Sequence, residues 1–153
     1  NADIGVNIVS GSGNDTITLG LGVDVATGND GSNVFVVNNG STGLTAGTAD
    51  TITDFQFGTD KLKLGLAGDA TVDTGNYVEN PAGVEDYSTA LSAANAALNT
   101  LNNTSAAIEL YAFEYDSNLG YLFIDIDSDG AADDLIILSG VESTTISAGD
   151  IIA

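Results

Sequence analysis

The sequence predicts a mainly all-β chain that carries one α-helix, and three observations lead to that reading. Apolar side chains recur nine residues apart at Ile8, Ile17, Ala26 and Phe35, the mark of a repeated structural unit. Three stretches of the last third, residues 108–115, 119–126 and 135–138, are dense in β-branched and aromatic residues and bounded by turn formers. Between these regions a single run, Tyr87, Leu91, Ala94, Leu98 and Leu101, follows helical spacing.

The repeat comes first along the chain. Residues 10–18, 19–27 and 28–36 are consecutive nonapeptides, with a worn copy before them, and Asp15, Asp24 and Asn33 keep the same step as the apolar positions. Glycines precede them in register: Gly11 and Gly13, Gly20 and Gly22, Gly28 and Gly31. Glycine permits the positive φ values that turn backbone carbonyls inward, aspartate supplies charge, and the apolar residue of each short strand points into the stack. This pattern resembles the glycine-rich calcium repeat of the RTX (repeat-in-toxin) family. The resemblance implies a short parallel β-roll with calcium-binding turns, the ions lying between turns two repeats apart. The turn 10–15 would then share an ion with the turn 28–33, and the turn 19–24 would lie on the other edge. The sequence departs from the family pattern at Ser10 and Leu19, which replace the first glycine, and at Asn33, which replaces aspartate with Asp30 nearby to compensate.

Residues 48–55 and 58–64 resemble the segment that closes the β-roll in serralysin-type proteases, RTX lipases and S-layer proteins. Alternation turns Ile52 inward and allows Asp50 and Asp54, both even-numbered, to converge on one cation; in the family that pair is a terminal calcium site. The alternative is a polar strand edge blunted against aggregation.

Residues 65–81 read as loop with short strands. Asp86 then fits a helix N-cap and Asn102-Asn103 a stop, with the apolar stripe serving as core. The three apolar stretches that follow read as antiparallel strands, Asp116, Ser117 and Asn118 forming the first turn. In the second turn Asp125, Asp127, Asp129 and Gly130 match the start of the D-x-D-x-D-G loop, where alternate carboxylates fold round one ion. Asp133 is a further candidate ligand. An EF-hand would need Glu at the twelfth loop position and helices on both sides; here stand Ile136 and strands. The match is closer to calcium-binding hairpin turns near the C-termini of RTX proteins, with a plain acidic turn as the alternative. The ending, an acidic Asp150 followed by Ile151, Ile152 and Ala153, resembles that of type I secretion substrates. The expected division is therefore a β-roll over 1–64 and an antiparallel β-rich cap with one helix over 65–153.

Composition narrows the chemistry. Lys61 and Lys63 are the only basic residues among 153, against 22 acidic ones, for a formal charge of -20. Nucleic acid and anionic lipid are poor partners for such a surface, and a divalent cation relieves its self-repulsion. The β-branched and aromatic content argues against disorder. Without His or Cys, zinc, copper and haem sites are excluded, whereas calcium takes the hard oxygen ligands that remain. No stretch of 18 apolar residues spans a membrane, and Asn1-Ala2-Asp3 has neither part of a secretory signal. That start suggests a piece of a longer protein or another export route.

These readings converge on a calcium-binding structural and secretion module of an extracellular or cell-surface bacterial protein. It would fold on calcium binding after leaving through a type I exporter, and self-assemble in a surface array of S-layer type. The alternative parent is a secreted protease, lipase or adhesin with its active domain upstream. The chain itself is not expected to be an enzyme: Ser-His-Asp, Cys-His and HExxH arrangements are impossible, and a carboxylate-pair hydrolase is left as the conceivable exception. Carbohydrate binding through Tyr111, Tyr115 and Tyr121 is a further alternative.

Overall fold

Each nine-residue unit folds as a three-residue strand followed by a glycine-rich turn, giving β1 (Asn7–Val9), β2 (Thr16–Thr18), β3 (Val25–Thr27) and β4 (Val34–Val36). The computed structural model describes residues 4–71, 75–140 and 146–153; residues 1–3, the expected start of the roll, lie outside it. Strands two repeats apart pair in parallel, β1 on β3 with Ile8 beside Ala26, and β2 on β4 with Ile17 beside Phe35. Alternate repeats therefore build two sheets, and the middle residue of each strand points between them: Ile17, Ala26 and Phe35 are buried. The pairing continues through β5 (Asp50–Ile52) on β3 and β6 (Lys61–Lys63) on β4, which adds Ile52 and Leu62 to the same core.

The second half begins with β7 (Tyr77–Glu79), a short strand in the stretch expected to be loop with short strands. Helix α1 (Tyr87–Asn102) starts and stops where expected: Asp86 Oδ1 accepts the Thr89 N–H at 2.8 Å, and Asn103 forms the C-cap. Strands β8 (Leu110–Tyr115), β9 (Leu119–Asp125) and β10 (Asp134–Ser139) follow as an antiparallel meander, with the Asn118 and Leu119 N–H groups of the first turn donated to Asp116 Oδ1. A 3-10 turn, Ala148–Asp150, leads into β11 (Ile151–Ile152).

Both sheets run on from the repeats into this half. β10 pairs in parallel with β5, placing Ile136 beside Asp50, and β11 pairs in parallel with β6, placing Ile151 beside Leu62. The orders are β1-β3-β5-β10-β9-β8-β7 and β11-β6-β4-β2. The meander is apolar on both faces because both are covered. Tyr111, Phe113, Leu122, Ile124, Ile136 and Leu138 join the core of the roll. Their neighbours Leu110, Ala112, Tyr121, Phe123, Leu135 and Ile137 turn to Ala90, Ala94 and Leu98 of the helix. That is period-two alternation between two buried surfaces, and it explains why these strands read as nearly continuous hydrophobic runs. Tyr111 and Tyr121 are buried and Tyr115 half-buried, with each hydroxyl bonded inside the protein, so they do not form an exposed aromatic platform. Among the described residues no helix is long and apolar enough to cross a membrane.

Candidate metal sites

The hairpin between β9 and β10 gathers the strongest group of oxygen ligands. β9 ends at the buried Asp125, and the chain reverses through Ser128 at φ +57° and Gly130 at φ +90°. Glycine suits the second of these because a Cβ there would also press on Asn99 of the helix, 3.1 Å from its Cα. Asp125 is held by the N–H groups of Gly130, at 2.9 Å, and Asp129, at 3.3 Å. Asp133 Oδ2 accepts the Ile126 N–H at 3.0 Å, and its own N–H returns to Ile124 O at 2.8 Å. Carboxylate oxygens of Asp125, Asp127 and Asp133 come within 4.8 Å of one another, the one such trio among the described residues. Burial pushes the Asp125 carboxyl above its ordinary range despite its backbone donors. Asp129 stands apart from the trio, its Oδ1 accepting the Ala131 N–H at 2.9 Å.

Helix α1 and the segment that follows it brace this turn, which sequence spacing does not reveal. Asn95 Oδ1 accepts the Ala132 N–H at 2.9 Å, and Ser128 Oγ donates to Ala107 O at 2.9 Å. Both basic residues of the chain lie on β6, where Lys61 is bound by Asp150. Three converging carboxylates, all oxygen and shaped by a tight glycine turn, fit a hard divalent cation such as calcium.

In the repeats the structure brings the turn 10–15 onto the turn 28–33. The Gly13 N–H donates to Asp30 O at 2.9 Å, the Asp15 N–H to Asn33 Oδ1 at 3.1 Å, and Ser10 Oγ to Gly28 O at 2.6 Å. The stack is tight: a Cβ on Gly31 would lie 2.0 Å from Gly13 O. One oxygen is left over, the buried Oδ2 of Asp15, which has no hydrogen-bond partner. The departures noted in the sequence act as direct links here. Ser10 bonds across the pair, Asn29 Nδ2 donates to Ser10 O at 2.6 Å, and Asn33 is buried, whereas Asp30 is exposed with its backbone carbonyl in use.

The turn 19–24 lies on the other edge. Gly22 sits there at φ +113°, and a Cβ on it would meet Gly5 N at 2.8 Å. Asp24 Oδ1 accepts the Val6 N–H at 2.8 Å and Oδ2 the Gly20 N–H at 2.7 Å. Gly11 faces open space, and Gly28 is packed against Asn33 and Phe35. Down the same edge the Asp24 N–H donates to Asp50 Oδ1 at 2.8 Å, and on the opposite sheet the Asn33 N–H donates to Asp60 Oδ1 at 2.8 Å. These buried carboxylates thus cap the N–H of the preceding rung, a use that spacing alone could not separate from ion binding.

Asp50 and Asp54 are not brought together. Asp50 serves the end of the turn 19–24, whereas Asp54 accepts the Gly28 and Asn29 N–H groups at 2.8 and 2.7 Å where the turn 28–33 begins. Equal parity puts two side chains on one face of a strand, yet Asp50 opens β5 and Asp54 lies two residues past its end, so the strand carries them to opposite edges.

No curated protein matches the chain. The family model described as peptidase M10 serralysin C terminal matches residues 3–153, nearly the full length given. That family is the non-catalytic RTX region of serralysin-type proteins, which are secreted, and its repeats bind calcium. A roll of short parallel strands with stacked glycine turns, matched by that model from one end to the other, makes the chain a member of the peptidase M10 serralysin C-terminal family.

Proposed function

We propose that the chain is a calcium-gated folding module that accompanies an exported protein through a type I exporter and sets its folding outside the cell. The observation that carries this reading is the trio Asp125, Asp127 and Asp133 in a chain whose two basic residues both sit elsewhere. Asp125, Asp127 and Asp133 would hold one calcium ion, and the repeat turns, with Gly11, Gly13, Asp15, Gly28, Asp30 and Asn33 on one edge and Gly20, Gly22, Asp24 and Asp50 on the other, offer further sites. Asp54 and Asp129 are the peripheral members of that set. Bound calcium would supply the positive charge that lets these carboxylates lie close. Where it is scarce, their repulsion and the entropy of the glycine turns keep the chain loose. At free calcium about 100-fold above the dissociation constant each site adds roughly 2.7 kcal/mol, so a few sites match the stability of a small domain.

The division at residue 64 is part of this proposal: the roll folds first and the cap docks through β10 and β11. Two parents suit such a module. The Thr-, Asn- and Gly-rich, nearly Lys-free composition supports a surface array of S-layer type, in which calcium-loaded copies pack edge to edge. The description of the matching family supports a secreted peptidase with its active domain upstream.

Far-UV circular dichroism and sedimentation of EDTA-treated protein, titrated with calcium and with magnesium as control, test the reading. A cooperative gain of β-signal with calcium alone is expected, and assembly accompanying it selects the array. Full structure in EDTA with no response to calcium rejects the switch.

A further inference from the structure

The two ends of the roll are built differently. At one end β5 and β6 pair their outer edges with β10 and β11, so the rest of the chain closes it. At the other end β1 and β2 are the last strands of their sheets. The bonds to their neighbours fix which groups these strands leave over. Val6 O and the Ser10 N–H are bonded toward β3, and Asp15 O and the Leu19 N–H toward β4. Alternation then turns the backbone N–H and C=O groups of Asn7, Val9, Thr16 and Thr18 outward, where no described strand meets them. Neither strand carries the charge or proline that ordinarily blunts an exposed edge.

A repeated hydrogen bond stops at the same place. Asp24 Oδ1 accepts the Val6 N–H, Asn33 Oδ1 the Asp15 N–H, Asp50 Oδ1 the Asp24 N–H and Asp60 Oδ1 the Asn33 N–H. Each of these side chains caps an N–H one rung nearer the open end. Asp15 holds the same position in the first turn, yet its buried Oδ2 has no partner. A buried acceptor left empty is costly, and a further strand laid on this end would bring it an N–H.

The surface around the open end is apolar and almost uncharged. Of the six large hydrophobic side chains exposed among the described residues, five lie within residues 4–23: Ile4, Val6, Val9, Leu21 and Val23. Their backbones meet at one corner, since a Cβ on Gly22 would lie 3.0 Å from Ile4 C and one on Gly5 would lie 2.0 Å from Val23 O. The same stretch holds one of the chain's 22 acidic side chains, Asp15. On a molecule of formal charge -20, this is the face that two copies can bring together against the least repulsion.

We propose that the open end of the roll is a self-association surface on which a second copy of the chain docks, open end to open end, as a two-fold dimer. Head-to-tail stacking would need a free strand edge at the far end, and β10 and β11 occupy both. Like faces therefore meet, which is the geometry of a two-fold axis. That axis sets each edge strand antiparallel to its own copy, so the outward groups of Asn7, Val9, Thr16 and Thr18 find partners and both sheets continue across the contact. The inference goes beyond the folding switch and needs only the folded roll.

Sedimentation velocity of the 153-residue chain at saturating calcium, run over a range of concentrations, is expected to show a monomer–dimer equilibrium. Val9→Asp places a carboxylate at the contact on both copies and should weaken the dimer at least about tenfold. Ile108→Asp makes the same change at the exposed hydrophobic residue outside this end and should leave the dimer as tight as the parent's. Hydrogen exchange separates strand pairing from apolar contact alone: the Thr16 and Thr18 amides should exchange slowly in the parent dimer and rapidly in Val9→Asp. A folded chain that stays monomeric at every concentration overturns the proposal and leaves the calcium-dependent gain of β-signal untouched. So does a Val9→Asp chain that associates as tightly as the parent, an equal weakening by Ile108→Asp, or a dimer whose Thr16 and Thr18 amides are not slowed. A chain fully folded in EDTA rejects the calcium reading alone, because the dimer is then scored on that chain by the same run.

Discussion

Lys61 Nζ lies 2.7 Å from Asp150 Oδ1, joining the strand that closes the repeats to the last strand of the chain. The carboxylate also accepts the Gly58 N–H at 3.1 Å and both the N–H and hydroxyl of Ser147, at 3.0 and 3.1 Å. Burial pushes the Asp150 carboxyl up, but Lys61 and Ser147 outweigh it and hold it below its ordinary value of 3.8. A carboxylate with a depressed folded-state pKa stabilises above its unfolded pKa, and that contribution is lost as pH falls through the folded value. Asp150→Asn should therefore cost about 2 kcal/mol in urea unfolding at neutral pH. The gap from the parent should close as the pH is taken below about 4. A difference that stays constant into acid would remove the ion pair from the account.

The stacking of the turn 10–15 on the turn 28–33 makes opposite forecasts for two glycines of one motif. Gly31 has φ +116°, and a Cβ there would lie 2.0 Å from Gly13 O; Gly11 has nothing within 4 Å. At saturating calcium, Gly31→Ala should lose about 2 to 3 kcal/mol, and Gly11→Ala should stay within about 0.5 kcal/mol of the parent. Equal losses in chemical denaturation would mean that the turns are not stacked as described.

Ile151 tests whether the tail belongs to the fold. It is 1% exposed, pairs beside Leu62 and sits in the core of the roll. Ile151→Ala should cost about 2 to 4 kcal/mol. A purely exposed export signal would tolerate the change, so an unaltered melting temperature would detach β11 from the sheet.

What the sequence revealed was local. Ile17, Ala26 and Phe35 announce the roll because a nine-residue step repeats strand and turn in register, and Asp86 announces the helix because an N-cap acts three residues away. The trio Asp125, Asp127 and Asp133 was visible for the same reason, all of it lying in one turn. Contacts between distant segments were hidden. Nothing near Ile136 signals that it will lie beside Asp50, nor does the tail signal that it will extend the sheet of β6. Parity along β5 gives the face that Asp50 and Asp54 share, but which edge each one serves depends on the neighbouring turns. The same limit hid the double meaning of aspartate: Asp24 looks like a ligand by type, and in the structure both its oxygens accept backbone N–H groups.

The hairpin separates two aspartates that the D-x-D-x-D-G pattern treats alike. Asp127 belongs to the converging trio, whereas Asp129 turns its carboxylate to the Ala131 N–H. If the trio holds calcium, Asp127→Asn removes a charged oxygen that touches the ion and should weaken that site by at least about tenfold, the scale expected even for groups that only hydrogen-bond to a metal's ligands. Asp129→Asn leaves the three converging oxygens in place and should change affinity by less than about threefold, a free-energy difference under about 0.7 kcal/mol. Both aspartates are exposed, so neither change should alter the fold reached at saturating calcium, which circular dichroism will verify. Calorimetric titration of the two variants then decides between geometry and motif. A large loss confined to Asp127→Asn follows from the trio, whereas equal losses would mean that the turn rearranges around the ion to use every aspartate of the pattern.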